Sequence, residues 1–197
     1  QLLRGDWNAR NAGGKFRREW FKLADVAPVQ ARWVRYWDMA ATEKDSHNDP
    51  DWTAGCLLGK TPEGNYYVKD IKRRRATPQN VEALIRQTAQ LDGNISIYME
   101  QEPGASGKNL IDYYTRQVLG GYAFYGDKPS ASKTTRADPV SSQAEAGNVY
   151  LVQGTWINDF LDEADSFPNG SHDDQVDALS GAFAQLNMQR VYGFSFA

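Results

Sequence analysis

Cysteine is all but missing from this chain: its 197 residues include one, Cys56. A lone thiol excludes an intramolecular disulfide, and the apolar run around it (AGCLLG, 54–59) predicts a buried, inert side chain. No stretch approaches the roughly 20 apolar residues of a membrane span, so no membrane partner is expected. The opening residues QLLRGDW lack the apolar core of a secretory signal, and with the scarcity of cysteine they point to a reducing, cytoplasmic compartment. The sequence contains no Gly-x-x-x-x-Gly-Lys-Ser/Thr phosphate loop, no internal repeat and no low-complexity tract. Strong charge of one sign is also lacking, since the formal net charge is only −3. That balance does not advertise a nucleic-acid partner. The distribution says more, because Lys69, Lys72, Arg73, Arg74 and Arg75 form a dense basic run while carboxylates gather elsewhere. A protein can hold phosphates on one basic face and concentrate acids around metal on another; the run also fits a solvated strand end.

What is present is enough chain for one domain with a sizeable core. Residues 1–30 read as an irregular arm or linker, with glycines, Pro28 and scattered aromatics (Trp7, Phe16, Trp20, Phe21) laid on a neighbouring surface. From residue 31 the pattern becomes regular. Strand-like runs at 32–40, 52–58 and 66–71 are joined by short connections, one of them Pro62-Glu63-Gly64-Asn65, which predicts an antiparallel meander. Thr77-Pro78 begins a helix with apolar residues at Val81, Leu84, Ile85 and Leu91. A short buried strand (ISIYME, 95–100), a helix through Leu110 to Val118 and a strand at 122–125 follow. Residues 126–135 read as a mobile polar loop. A helix at 139–146, a strand at 149–152 and helices at 156–164 and 171–189 complete the pattern. The expected architecture is α/β: a mixed sheet, antiparallel meander plus parallel strands, flanked by helices. Its element order resembles the ribonuclease H-like arrangement.

Three acidic positions border apolar elements. Asp38 ends the strand RWVRYWD, Glu100 ends ISIYME, and Asp173, Asp174 and Asp177 lie at the start of the last helix. A carboxylate at the end of a buried strand is costly unless it is paired or bound to a cation. Strand ends and a helix start can meet at one sheet edge, where hard divalent cations would offset the mutual repulsion. Two such ions about 3.5–4 Å apart can activate water and stabilise a leaving oxygen in phosphodiester hydrolysis. Each position also has a purely structural reading: Asp38 as a turn former, Glu100 as a loop acid, and Asp174 as partner of Ser171 in a capping box. Within the helix, Asp177 neighbours both Asp174 and Asp173, so spacing leaves open which pair binds an ion. His172 is ranked behind the carboxylates, as support for them.

On these residues a family resemblance rests. FPNGSHDDQVDALSGAF (167–183) resembles the C-terminal motif of phage terminase large subunits. WDMAAT (37–42) and YMEQEPGASG (98–107) resemble the segments carrying that family's first and second nuclease acids. KTTRADPVSSQAEAGN (133–148) is similar to a further family stretch, and LLRGDW with AGGKFRREWF to the join after its ATPase domain. The resemblance implies a ribonuclease H-like endonuclease that cuts concatemeric viral double-stranded DNA during packaging, in the cytoplasm of an infected bacterium. It implies two Mg2+ or Mn2+ ions held by Asp38, Glu100, Asp174 and Asp177, with Asp173 as an alternative. Lys133 and Arg136 would touch the DNA backbone, with Arg73 and Arg74 as further DNA contacts. Partners in the full-length family protein are an ATPase domain, a small terminase subunit and the portal. Here residues 1–30 would be the linker from an absent ATPase domain, and 31–197 the nuclease domain. The Asp174–Asp177 pair is also similar to the last motif of RuvC-like junction resolvases, the enzymatic alternative. A non-catalytic module docking on DNA or portal is the alternative from another class.

Overall fold

The computed structural model describes residues 14–39 and 52–188. Trp7, the LLRGDW opening, the end of the WDMAAT motif and the last residues of the chain lie outside them. Seven strands form one sheet in the order β1-β7-β4-β3-β2-β5-β6. They are β1 (Lys22–Ala24), β2 (Arg32–Asp38), β3 (Thr53–Lys60), β4 (Tyr66–Arg74), β5 (Ser96–Glu100), β6 (Phe124–Asp127) and β7 (Val149–Val152). The β2–β3 and β3–β4 pairs are antiparallel, and β2–β5, β5–β6, β4–β7 and β1–β7 are parallel. This is the mixed sheet expected from the sequence: the turn between Lys60 and Tyr66 joins β3 to β4 antiparallel, and the helical crossover between Glu100 and Phe124 joins β5 to β6 in parallel.

Helices cover both faces. On one side lie α1 (Pro78–Asp92) and α2 (Ala105–Tyr113), the latter continued by a π-helical turn, Tyr114–Val118. Val81, Ile85, Met99, Val118 and Phe124 form the core there, around Trp37. On the other side α3 (Lys133–Glu145), α4 (Ile157–Ser166) and α5 (Asp174–Asn187) pack over Tyr36, Cys56, Leu58, Val68 and Leu151. Alternation along β2 explains the division: Val34 and Tyr36 face α5, while Arg35 and Trp37 face α1. Cys56 is buried in this second core, and burial pushes its thiol up to about 12, so it stays protonated and inert.

Three glycines let bulky neighbours lie close. A Cβ at Gly55 would stand 2.5 Å from the Trp37 ring, one at Gly59 2.6 Å from Trp33, and one at Gly181 2.3 Å from Tyr36. The last draws α5 directly onto β2, which brings the helix start beside the strand end.

Three expectations differ from the structure. Residues 14–30, read as an irregular arm laying aromatics on a neighbouring surface, contain β1, which pairs in parallel with β7, and Phe16 and Phe21 are buried against Phe167 and Phe160 in the same core. The loop expected through Thr135 ends earlier: α3 begins at Lys133, with the Ser132 side chain accepting from the Thr135 amide, and carries Pro139 within it rather than before it. The last helix begins at Asp174, so the Ser171–Asp174 capping box does not form. Its amides are satisfied from α4 instead, where the buried Glu163 accepts from Gln175 N at 2.7 Å and Val176 N at 3.0 Å. Among the described residues no helix is long and apolar enough to cross a membrane.

Candidate active site

The ends of β2, β5 and β6 and the start of α5 meet at one edge of the sheet. Parallel register sets Tyr36 beside Tyr98 and Glu100 beside Asp127, so Asp38, Glu100 and Asp127 share the face that α5 covers. Asp174 and Asp177 project from the first turn of α5, both buried. The negative charges act on one another. Burial, followed by the charges of Asp177, Glu100 and Asp174, pushes the Asp38 carboxyl well above the ordinary carboxylate range, with Lys133 opposing. Asp177 is raised too, first by burial, against the pull of Lys133 and Arg136. Burial first and neighbouring negative charge second thus disfavour the ionised form of both carboxyls.

Two side chains of α3 enter the cluster. Lys133 Nζ lies 2.8 Å from Asp173 Oδ1 and 2.8 Å from Asp177 Oδ2. Arg136 donates to Glu100 Oε2 at 2.8 Å and to Asp177 Oδ1 at 3.2 Å. Burial alone would lower the Lys133 ammonium, but the hydrogen bonds to Asp173 and Asp177 outweigh it and the net shift is upward. With these cations in place, no three of the described His, Cys, Asp and Glu side chains stand in an ion-holding arrangement. The donor set nevertheless fits a hard divalent cation in kind: carboxylate oxygens from separate elements, crowded enough to repel.

The remaining sequence candidates take different places. Arg73 turns inward, 3.3 Å from Glu163 and 3.7 Å from Asp174 Oδ2. Its neighbour Arg74 is exposed and points to the opposite sheet face, as strand alternation requires, so the two arginines do not share one ligand. His172 Nε2 is 3.0 Å from Arg75, beside a polar hollow of about 260 Å³ lined by Arg73, Asp159 and Glu163.

Sequence reasoning missed three residues. Asp127 ends β6 as Asp38 ends β2, and it accepts a 2.8 Å hydrogen bond from the buried Tyr36 hydroxyl, which is raised by burial and by this carboxylate. The strand-end argument applied to YAFYGD would have found it. The guanidinium groups of Arg73 and Arg75 lie 4.3 and 4.4 Å from the Trp52 ring centroid, and the Trp52 amide lies 3.3 Å from Asp174 Oδ1. Glu163 had no visible signal, since its role depends on how α4 packs on α5.

The model of the terminase RNaseH-like domain family matches residues 35–186, a span holding every acid of the cluster. The chain belongs to that family. Solved terminase nuclease domains share its fold at low identity. The large terminase nuclease from thermophilic phage G20c is 14% identical with a TM-score of 0.60, over 85% of this chain and 95% of that one. The human cytomegalovirus terminase nuclease domain, manganese-soaked and inhibitor-bound, is 15% identical with a TM-score of 0.63, over 86% and 93%. The nuclease domain of the Thermus phage P74-26 large terminase is 14% identical with a TM-score of 0.58, over 85% and 92%. No curated protein matches. In this terminase-family domain the acid-bearing edge is formed by the elements that define the fold, not by an appended loop.

Proposed function

We propose that this chain is a divalent-metal-dependent DNA endonuclease that cleaves concatemeric viral DNA during genome packaging. The observation that carries this reading is the convergence of Asp38 on β2, Glu100 on β5, and Asp174 and Asp177 on α5, where burial and then the neighbouring carboxylates raise Asp38. Family membership supports it. So do structures of the G20c nuclease with bound magnesium, zinc and cobalt, and of the manganese-soaked cytomegalovirus domain.

In this reading Asp38, Glu100, Asp174 and Asp177 would hold two Mg2+ or Mn2+ ions, Asp38 serving both, Glu100 one, and Asp174 with Asp177 the other, with Asp173 as an alternative ligand. Such a pair of ions activates a water and neutralises charge on the scissile phosphate. The chain's own groups orient the centre. Glu163 holds the first amides of α5, which sets the direction of Asp174 and Asp177. Arg73, stacked on Trp52, and the Trp52 amide both lie against the Asp174 carboxylate. Lys133 and Arg136 supply phosphate contacts that position a backbone without reading its sequence. The substrate is double-stranded DNA. The wider partners are those of a packaging motor in an infected bacterium: an ATPase domain, a small terminase subunit and the portal.

Plasmid cleavage in Mn2+ and in EDTA tests the reading. Cutting is expected with Mn2+ and none with EDTA; Asp38→Asn is expected to lower the rate by at least about a hundredfold with an unchanged circular dichroism spectrum. Persistent cutting in EDTA would overturn the metal mechanism. A RuvC-like resolvase would prefer four-way junctions over linear duplex in the same assay, and a docking module would cut neither.

A further inference from the structure

Lys133 and Arg136 are three residues apart, hence neighbours on one face of α3. Each straddles carboxylates of the candidate centre. Lys133 joins Asp173 and Asp177, and Arg136 joins Glu100 on β5 to Asp177 on α5. Asp177 is 1% exposed at its side chain, and each of its oxygens lies against one of these cations. Two positive groups thus occupy the space between carboxylates that a divalent ion would occupy, and at such range like charges in a partly dry site repel strongly. The two cations differ in freedom. Lys133 is 54% exposed and has open solvent to move into, whereas Arg136 is 12% exposed. Among the described residues the buried Arg136 Nε has no hydrogen-bond partner, and the guanidinium is held there by its contacts with Glu100 and Asp177.

We propose that Lys133 and Arg136 are the counter-ions of the metal-free centre, competing with the metal ions for Asp177, Asp173 and Glu100 and yielding to them on loading. The proposal rests on the metal reading above and adds a regulation to it. A cation engaged with Asp177 is not available to a DNA phosphate, so the phosphate contacts form after metal has released them. By linkage, whatever draws these cations outward tightens metal binding, and metal in turn favours the phosphate-binding arrangement.

Calorimetric titration of the metal-stripped protein with Mn2+ tests this, comparing wild type, Lys133→Gln and the double variant Lys133→Gln/Arg136→Gln. Tighter Mn2+ binding is expected in both variants, by about fivefold or more in the double one. In EDTA the double variant is expected to melt below wild type, because it leaves Asp177 buried without counter-charge. Mn2+ should then raise its Tm more than it raises that of wild type. A purely structural pair of ion bridges predicts the reverse, a Tm loss that Mn2+ does not restore and equal or weaker affinity; that result would overturn the proposal. If the double variant does not fold, Lys133→Gln alone decides, since its side chain is half in solvent. Absence of Mn2+ binding by wild type would overturn the metal reading itself. Wild-type binding with no gain in the variants overturns only the counter-ion role.

Discussion

Arg35 is buried to 1% exposure in the middle of the sheet, on the face away from the carboxylate cluster. Its guanidinium meets Asp92 through Nε at 2.7 Å and Nη2 at 2.9 Å, Asp70 at 2.9 Å and the Gly55 carbonyl at 3.0 Å. This network ties β2, β3, β4 and the end of α1 together. Burying such ions is expensive, and geometry this complete is what offsets the desolvation. Arg35→Ala should therefore cost about 3–5 kcal/mol in urea denaturation, because it strands the buried Asp92, whereas Asp70 keeps its ion pair with Lys72. Double replacement with Asp92→Asn should recover part of that loss; a double variant as unstable as the sum of the singles would show that the bridge contributes nothing. Nothing in RWVRYWD announces this role. An arginine in a strand reads as an exposed residue until a partner is known, and both partners come from distant elements.

At the scale of elements, the relation between α5 and β2 decides the site. Gly181 lets the helix rest on the Tyr36 ring, and Tyr36 in turn donates to Asp127. Gly181→Val would place a branched side chain where a Cβ already stands 2.3 Å from that ring. The expected result is a loss of about 1–3 kcal/mol from overpacking, and a weaker response to Mn2+ as Asp174 and Asp177 withdraw from Asp38. Thermal melts with and without Mn2+ measure both, and an unchanged Mn2+ shift would show that helix position does not set the site. The spacing of Val176, Leu179, Phe183 and Leu186 identifies the buried stripe from sequence alone, and all four are buried in the core. The start of α3 was harder to read. Pro139 suggested a first helical turn, yet Ala137, Val140 and Ala144 already form a stripe across it, and Ser132 supplies the earlier cap.

At the scale of the whole molecule, the segment before β2 completes the domain. β1 pairs with β7, and Phe16 and Phe21 enter the core of the α3–α5 face. Removing residues 1–27 should lower the Tm markedly, since each buried phenylalanine is worth about 1.5–3 kcal/mol, and should leave the β7 edge open to association. Differential scanning fluorimetry with light scattering reads both effects; a truncated protein as stable and monodisperse as the full chain would make the segment an accessory. The aromatics of this segment were visible in the sequence as surface-covering groups, but the surface they cover belongs to their own domain.

Local pattern by itself determined the element types from β2 onward, the mixed character of the sheet and the strand-end and helix-start positions of Asp38, Glu100 and the Asp173–Asp177 turn, but not β1. Those features depend on alternation, helical spacing and turn residues, which are written within a few neighbours. Only the tertiary structure decided that the acids share one edge with Asp127, that Arg73 turns inward while Arg74 does not, and that Lys133 and Arg136 stand between the carboxylates. Such relations depend on strand register and on the docking of α3, α4 and α5 onto the sheet. Contacts between residues from 12 to 154 positions apart set that docking, and no single local window contains them.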